Sequence, residues 1–294
     1  MDRLLIIDGH AYVYRAFHAI RSLRSPSGRP TNAIYGFVKM LAKMRAAVGP
    51  THLAVVWDGG LSAERVAALP EYKAQRPKMP DDLKPQLDDI AAWLEAAGIV
   101  SICREGVEAD DYIAGLARQA AGAGMAVVIA SSDKDFMQLV SEQIGLLNPN
   151  DKSETIWTDE QVRAKTGVAP SQIVDWLSLT GDAVDNVPGV PGIGPKTASE
   201  LLHQFGSVRG LYERLDEVKS DKLRANLRAA ETAVRRNREL VRLPDDLPVG
   251  FSPVELAEKP ADAGRLAELY RRWGFKTLLA DLEPRECACQ AALI

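Results

Sequence analysis

The amino-acid sequence predicts an α/β fold in which a mostly parallel, twisted central sheet is flanked by helices. Three short apolar runs rich in β-branched residues, RLLIID, HLAVVWD and MAVVIASSD, are typical of strands buried in a parallel sheet. Amphipathic stretches such as NAIYGFVKMLAKMRAAV and LKPQLDDIAAWLEAAG separate these runs and predict helices. The alternation of buried strands with helices indicates a doubly wound sheet.

A helical region follows the predicted sheet. From about Asp159 the strand signal fades, so we place a domain boundary near Thr158, with residues 1–158 as the α/β domain and residues 159–294 as a helical region packed against it. The segments PSQIVDWLSLTG and PKTASELLHQFG flank a turn rich in Gly and Pro and predict a helix-hairpin-helix at about residues 170–205. A Pro-rich connection then precedes a final helix that ends at Gly274.

The composition fits a globular chain with a substantial core. The chain has 294 residues, of which 46% are hydrophobic, and a formal net charge of -4. Nucleic-acid binders are usually basic, but carboxylates gathered around metal ions would conceal a basic surface elsewhere. The segment from Lys219 to Arg242 holds eight basic and three acidic residues, and it could either contact DNA or form an ordinary solvated helix face.

The sequence shows no sign of export or of a membrane span. No stretch reaches the roughly 20 apolar residues of a membrane span, and an Asp interrupts the apolar start of the chain. We therefore expect a cytoplasmic protein. Cys103, Cys287 and Cys289 form no even disulfide framework and lack the spacing of zinc ligands, so we expect three free thiols.

Nine acidic residues follow predicted strands or lie near the starts of predicted helices. They are Asp8, Asp58, Glu108, Asp110, Asp111, Asp133, Asp135, Asp182 and Asp185. Any single one could be a turn or helix-capping residue. However, the carboxyl ends of parallel strands meet at one edge of a sheet, where gathered carboxylates repel one another unless cations lie among them. Because the ligands are all carboxylate oxygens, we predict two or more Mg²⁺ or Mn²⁺ ions. Two such ions about 4 Å apart are a standard device for phosphodiester hydrolysis.

The turn GVPGIGPKTA has the composition of a phosphate-binding loop. Gly189, Gly192 and Gly194 permit positive φ and the close approach of another backbone, and Pro195 suits the first position of a helix. The amides of the turn and of the helix that contains Lys196 should then face outward and bind phosphate. Such contacts would recognise the shape of a duplex and not its sequence. A plain interhelical loop is the alternative.

A basic segment, EYKAQRPKMPDDL, lies between Asp58 and the next acidic group. Lys73 or Arg76 could stabilise negative charge on a phosphoryl oxygen, and Tyr72 could stack on an unpaired base. Lys and Arg side chains extended over an ordinary surface loop are an equally good interpretation of the spacing.

Seven sequence blocks occur in an order found in a known family. They are LLIIDGHAYVYRAFHA, GRPTNAIYGF, AVVWD, YKAQRPKMPDDL, GVEADDYIAGLA, SSDKDFMQLV and GDAVDNVPGVPGIGPKTASELL. Over nearly its whole length the chain resembles the 5' nuclease domain of bacterial DNA polymerase I, in the flap endonuclease superfamily. This resemblance implies a PIN-like 5' nuclease fold with a helix-hairpin-helix (helix-three-turn-helix) motif. It also implies a 5'-3' exonuclease and 5'-flap endonuclease for primer removal in replication and for repair.

The resemblance also implies roles for individual residues. All nine acidic residues match the family's acidic metal-site positions. An arch segment at about residues 60–82 would place Tyr72, Lys73 and Arg76 over the scissile phosphate, with Lys73, Arg76 and Asp110 as catalytic residues. The hairpin would hold K⁺ and contact DNA. Its expected DNA-binding residues are Gly189, Val190, Gly192, Ile193, Gly194, Lys196 and Thr197.

The implied partners are DNA with 5' ends, flaps or nicks, and RNA–DNA hybrids, with a polymerase and a ligase acting alongside a monomeric, nucleoid-associated protein. One departure is Glu64, where the family usually has an aromatic residue before the counterpart of Arg65. This departure concerns how a single strand threads the arch and leaves the metal site intact.

Three other functions are the alternatives to this interpretation, and each makes a different demand on the sequence. A non-catalytic homologue that binds branched DNA would lack some of the acids, and none is missing. A PIN-like ribonuclease would have fewer acids and no hairpin. A small-molecule Rossmann enzyme would need G-x-G-x-x-G after the first strand, and this chain lacks it.

Overall fold

The structure is a computed structural model that describes residues 2–149, 155–244, 246–250 and 252–282. The predicted free thiols of Cys287 and Cys289 lie outside these residues, whereas Cys103 is an exposed free thiol.

A six-stranded sheet forms the centre of the N-terminal part. Its strands are β1 (Arg3–Asp8), β2 (His52–Trp57), β3 (Val100–Cys103), β4 (Ala126–Ala130), β5 (Ile144–Leu147) and β6 (Ile156–Trp157). The order across the sheet is β3-β2-β1-β4-β5-β6, and only β6 runs antiparallel to its neighbour. The strand order reverses between β1 and β4, so the crevice at their carboxyl ends is the expected ligand site of such a sheet.

Helices cover both faces of this sheet. The helices of the N-terminal part are α1 (Gly9–Ala19), α2 (Asn32–Val48), α3 (Ala63–Ala68), α4 (Lys84–Ala96) and α5 (Ala109–Gly122). Because side chains alternate along a strand, Leu4 and Ile6 of β1 pack in the core with α5, whereas Leu5 and Ile7 pack with α1, α2 and α4. The predicted α/β class is therefore confirmed.

The helical region begins directly after the sheet. Its elements are α6 (Asp159–Thr166), α7 (Ile173–Thr180), β7 (Gly181–Asp182), β8 (Val187–Pro188), α8 (Pro195–Phe205), α9 (Val208–Glu213), α10 (Asp221–Val241), α11 (Pro253–Leu256), α12 (Ala263–Trp273) and α13 (Lys276–Leu282). The predicted division near Thr158 falls between β6 and α6. The helices α7 to α10 share a core with α5 on one face of the sheet.

The last two helices return to the opposite face of the sheet. The indole Nε1 of Trp93 in α4 donates to the Tyr270 hydroxyl at 2.9 Å, and Arg272 donates to Asp89 at 2.8 Å. The helix α12 is capped by Gly274 at φ 78°, where the sequence predicted a helix end, but it is not the final helix, because α13 follows. The C-terminal helical region thus contributes α12 and α13 to the core that also contains α1, α2 and α4.

None of the helices in the described ranges combines the length and apolar character needed to span a membrane.

Candidate active site

The carboxyl ends of the central strands and the start of α5 bring acidic side chains together. Asp8 ends β1, and its Oδ1 accepts a hydrogen bond from the amide of Ala11 in α1 at 3.1 Å. Asp58 follows β2 and accepts from the amide of Ala109 in α5 at 3.4 Å. A cavity of about 370 Å³ opens at this edge. Its acidic lining residues are Asp8, Asp58, Asp110, Asp133 and Asp182.

The hairpin formed by β7 and β8 closes this group from the helical region. One carboxylate oxygen from each of Asp135, Asp182 and Asp185 lies within 4.8 Å of the other two, and all three residues are buried. Within the described residues, the Oδ1 atom of Asp135 is buried and has no hydrogen-bond partner. An unpartnered buried carboxylate oxygen among other carboxylates is the environment that a hard divalent cation stabilises.

The pKa values of four of these acids are raised, as expected where carboxylates are buried together with little nearby positive charge. Burial, followed by the nearby Asp133 carboxylate, raises the pKa of both Asp110 and Asp135 well above the usual range. Burial also raises the pKa of Asp133 to about 6. The pKa of Asp8 rises through burial, although the Ala11 amide and the Ser131 hydroxyl donate to it. The donor set therefore fits divalent metal ions bound through oxygen.

The other predicted ligands, Glu108 and Asp111, are balanced by protein cations. Arg65 donates to both oxygens of Asp111 at 2.9 and 2.7 Å, and its Nη1 lies 3.1 Å from Glu108 Oε1. The same guanidinium donates to the carbonyl of Arg242, just after α10, at 3.1 Å. Glu108 also forms an ion pair with Lys73. Burial alone would raise the pKa of Glu108, but Lys73 and Arg65 together lower it, whereas burial keeps the pKa of Asp111 raised.

The basic segment lies directly over the acids. Lys73 is only 5% exposed, and its Nζ is 3.6 Å from Asp110 Oδ2 and 3.7 Å from Asp185 Oδ2. Arg76 donates to Asp185 Oδ1 at 2.8 Å. Burial would lower the pKa of Lys73, but Asp110 and Asp185 more than offset this and raise it, so the ammonium stays charged at neutral pH. The two expected catalytic cations therefore meet the acidic cluster.

One expectation for this segment is not met. Tyr72 is 4% exposed, and its hydroxyl, a single donor, lies 3.2 Å from a carboxylate oxygen of Glu108 and 3.4 Å from one of Asp185. The ring packs in the hydrophobic core beside Leu69. It therefore offers no open face for stacking on a base.

Sequence reasoning missed two cations of the site. The Nζ of Lys134 lies 3.2 Å from Asp182 Oδ1, and Arg65 forms the ion pairs described above. The signal for Lys134 was its place between Asp133 and Asp135 in SSDKDF, a position that allows it to reach the same cluster. The resemblance matched Arg65 to an arginine of the family but gave it no role, and the short helix AERVAA that carries it has no pattern that indicates one.

The hairpin turn uses its glycines in different ways. At Gly189 an added Cβ would lie 2.2 Å from the carbonyl oxygen of Thr180, so this position needs the close approach that only glycine allows. Gly192 adopts φ 83°. Gly194 has a negative φ and open space around it, and it is the N-cap of α8, with Pro195 at the first helical position as predicted.

The amides of the turn divide into two groups. Val190 donates to the Leu179 carbonyl at 2.9 Å and Ile193 donates to the Val190 carbonyl at 3.0 Å, so these two amides are not free to bind phosphate. Their side chains are buried in the core, so Val190 and Ile193 shape the turn from within. In the described part of the chain, the amides of Gly194, Lys196 and Thr197 have no hydrogen-bond partner, and the Lys196 side chain is 91% exposed.

Comparisons with known proteins show the family of the chain. One family model, described as 5'-3' exonuclease, N-terminal resolvase-like domain, matches residues 3–167, and a second, described as 5'-3' exonuclease, C-terminal SAM fold, matches residues 168–264. The chain is 40% identical over 283 residues to a 5'-3' exonuclease of Aquifex aeolicus, covering 96% of each protein. It is 39% identical over 301 residues to DNA polymerase I of Rhizobium leguminosarum, in an alignment that covers 100% of this chain but 29% of that protein.

A solved structure shares the fold. The bacteriophage T5 flap endonuclease, described as a pseudo-enzyme-product complex with DNA and metal ions, matches with a TM-score of 0.68 and 23% identity, covering 92% of this chain and 99% of that chain. At this level of identity the match shows a common fold.

Proposed function

This chain belongs to the 5'-3' exonuclease family, and from that membership we propose that it hydrolyses phosphodiester bonds at 5' ends and 5' flaps of DNA. The observation that carries the proposal is the convergence of Asp135, Asp182 and Asp185 within 4.8 Å of one another, beside the catalytic cations Lys73 and Arg76. Cleavage would leave 5'-phosphate and 3'-hydroxyl ends.

The proposed metal ligands are the acids around the crevice, with two or more Mg²⁺ or Mn²⁺ ions as cofactors. The residues concerned are Asp8, Asp58, Asp110, Asp133, Asp135, Asp182 and Asp185, with Glu108 and Asp111 as their ion-paired neighbours. When bound there, such ions would supply an activated water molecule and stabilise the leaving oxygen.

The protein itself supplies fixed positive charge and holds the substrate. Lys73 stays protonated because Asp110 and Asp185 raise its pKa, so it acts as a cation and not as a general base. With Arg76 it would offset negative charge that develops on the phosphoryl oxygens. The carboxylate of Asp110 lies 3.6 Å from Lys73 Nζ, which links this catalytic acid to the same cation.

The hairpin would hold the duplex by its sugar-phosphate backbone. The free amides of Gly194, Lys196 and Thr197 at the start of α8, together with the exposed Lys196 ammonium, can bind a phosphate. We assign K⁺ to the hairpin between Gly189 and Lys196, where backbone carbonyls and a DNA phosphate would surround it. Val190 and Ile193 support this turn from the core.

The wider role follows from the relatives. The chain covers 29–32% of the DNA polymerase I relatives, and we propose that it removes RNA primers and damaged strands next to a polymerase and before a ligase. Flaps, nicks and RNA–DNA hybrids are the proposed substrates. We further propose that the protein acts as a monomer at the bacterial nucleoid in the cytoplasm. The proposed division is residues 1–158 for chemistry and residues 159–294 for DNA binding.

The experiment is cleavage of a labelled 5'-flap DNA and a nicked duplex with Mg²⁺ or with EDTA. We expect cutting only with Mg²⁺. The Asp110→Asn variant should lose at least about a hundredfold in rate while it still binds flap DNA. Asp159→Asn, an exposed acid at the start of α6, is the matched control and should cut as the wild type does.

Four outcomes would contradict the proposal. Cutting that resists EDTA would remove the metal from the mechanism, and wild-type rates from Asp110→Asn would remove that residue from the site. DNA binding without any cutting would favour a non-catalytic branched-DNA-binding homologue. Preference for single-stranded RNA would favour a PIN-like ribonuclease.

A further inference from the structure

Two short segments that are more than 100 residues apart in sequence meet at the active site. One is the cation segment, residues 71–76, which carries Lys73 and Arg76. The other is the acid loop, residues 182–186, which carries Asp182 and Asp185. Their relative placement decides where the two catalytic cations lie among the carboxylates.

Both segments contain a residue in an unusual backbone conformation. Among the residues that the structure describes, Lys73 at φ 54° and Asn186 at φ 59° are the only non-glycine residues with positive φ. This left-handed region is unfavourable for residues with a Cβ, although Asn tolerates it better than Lys does. Such conformations persist where surrounding contacts hold them, and they concentrate at functional sites.

Hydrogen bonds between the two segments hold Lys73 and Asn186 in these backbone conformations. The amide of Lys73 donates to the carbonyl of Asp185 at 3.1 Å. The side-chain amide of Asn186 donates to the carbonyl of Glu71 at 2.8 Å, and the side-chain amide of Gln75 donates to the carbonyl of Ala183. The two side-chain bonds flank the backbone bond of Lys73 on either side along the cation segment.

These two side-chain bonds reach main-chain carbonyls and not carboxylates. They therefore fix the path of the backbone without altering the charge of the acidic cluster. With the backbone fixed in this way, Lys73 Nζ lies 3.6 Å from Asp110 and 3.7 Å from Asp185. A buried ammonium at these distances depends on the path of its own backbone, because its side chain is only 3% exposed and has little room to adjust.

We propose that Asn186 and Gln75 are positioning residues, which set the placement of Lys73 and Arg76 over the carboxylates by holding the cation segment to the acid loop. This inference rests on the proposed nuclease function, since it concerns the same site. Within the described residues, the side-chain amides of Asn186 and Gln75 donate to main-chain carbonyls and not to the acids, so their proposed effect passes through the two cations.

The test compares variants that remove each side-chain amide. Asn186→Gly introduces a residue that adopts positive φ without strain but has no side-chain amide to bond to Glu71. Gln75→Ala, at an exposed position, removes the bond to the Ala183 carbonyl. We expect each to lower kcat on flap DNA by about tenfold with little change in KM, because a misplacement of the order of 1 Å costs up to about a hundredfold. Gln119→Ala is the matched control: its amide also donates to a main-chain carbonyl, that of Leu247, at 2.8 Å, but on α5 away from the site.

A double-mutant cycle identifies the route of the effect. In a Lys73→Ala background, Asn186→Gly should have a much smaller effect on kcat, because residues that act through one another are not additive. Limited trypsin digestion gives a readout independent of cleavage activity. Chain cutting after Lys73, which is buried in the wild type, should be faster in Asn186→Gly and Gln75→Ala than in Gln119→Ala, with thermal melting of all three close to that of the wild type.

The outcomes separate this inference from the proposed function. If the wild-type protein does not cut flap DNA, the proposed function fails. If the wild type cuts, but Asn186→Gly and Gln75→Ala match Gln119→Ala in kcat and in trypsin sensitivity, the positioning role is wrong and the function stands. Fully additive effects of Asn186→Gly and Lys73→Ala would also overturn it. Should Asn186→Gly fail to fold, Gln75→Ala decides, because its side chain is exposed.

Discussion

Glu108 and Asp111 lie in the same acidic cluster as Asp133 and Asp135, yet protein cations balance only the first two. Arg65 and Lys73 pair with Glu108 and Asp111, which we call the paired acids. In the described residues no basic side chain forms an ion pair with Asp133 or Asp135, the unpaired acids. The pKa of Glu108 is accordingly lowered, whereas burial and neighbouring carboxylates raise the pKa of Asp135 well above its usual range.

The difference in ion pairing gives the paired and the unpaired acids different structural roles, although all four are acidic residues of the same pattern in the sequence. The paired acids hold α3 and the cation segment to the start of α5, so they contribute to folding without a metal. The unpaired acids weaken the folded protein when they are ionised, because like charges are then held together in a poorly solvated place. Asp133 and Asp135 are therefore the acids of the cluster whose charge the described protein cations balance least.

The largest expected effect on stability comes from breaking the ion pairs of the paired acids. Arg65→Met leaves Asp111 without its buried partner, and we expect a loss of about 3–5 kcal/mol in the free energy of unfolding, measured by urea denaturation. Arg163→Met breaks an exposed ion pair with Asp159 in α6 and should cost no more than about 1 kcal/mol. Equal, small losses in both variants would mean that Arg65 does not stabilise the paired acids.

A smaller effect should appear when the unpaired acids titrate. In EDTA the folded protein holds protons on Asp133, whose pKa is about 6, at pH values where the unfolded chain has released them. Because the folded state binds more protons, stability rises as the pH falls from about 8 through 6, and the melting temperature should increase by several degrees. Glu108 has the opposite effect because its pKa is lowered in the folded protein. Below pH 4.5, the ordinary pKa of a glutamate, further acidification therefore lowers stability through Glu108.

The control for this pH effect is Asp135→Asn, which removes one of the unpaired acids. Its melting temperature should depend less on pH between 8 and about 5.5 than that of the wild type. Burial lowers the pKa of His10, so its protonation offsets part of this gain below about pH 6.5, and the test is therefore the difference between the two proteins. An unchanged pH dependence in Asp135→Asn would show that the unpaired acids are not under charge repulsion.

The smallest expected effect concerns Lys134, which lies between Asp133 and Asp135 in sequence and pairs with Asp182. Its Nζ lies 3.2 Å from Asp182, and its side chain is one-third exposed, so it balances that carboxylate only in part. We expect Lys134→Gln to raise the affinity for Mn²⁺ by about two- to fivefold, measured by calorimetric titration, because such pairs contribute at most about 1 kcal/mol. Lys165→Gln, at the exposed end of α6, should leave the affinity unchanged. Weaker binding in Lys134→Gln would mean instead that Lys134 holds Asp182 in place for the metal.

The sequence predicts where the acids lie but not how each is balanced. Asp8, Asp58 and Asp133 follow strands that are parallel neighbours, so the geometry of a parallel sheet is enough to bring them to one edge. The Gly and Pro pattern likewise predicts the hairpin and the start of α8 at Pro195, because these residues have restricted backbone preferences.

The remaining features depend on contacts between distant parts of the chain. Arg65 in α3 meets Asp111 in α5 across 46 residues of sequence, and no local pattern specifies that contact. The burial of Tyr72 and the left-handed backbone of Lys73 follow from how the cation segment docks on the acid loop. The amide of Val190 points inward because Gly189 lets the turn approach α7, which the glycine content alone does not reveal.

The bond from Arg65 to the carbonyl of Arg242 makes one guanidinium common to three separate stretches of chain. The basic helix α10 is therefore tethered at its carboxyl end to the helix that carries Asp110 and Asp111. A shift of the carboxyl end of α10 would therefore be felt first at the guanidinium that also holds Asp111.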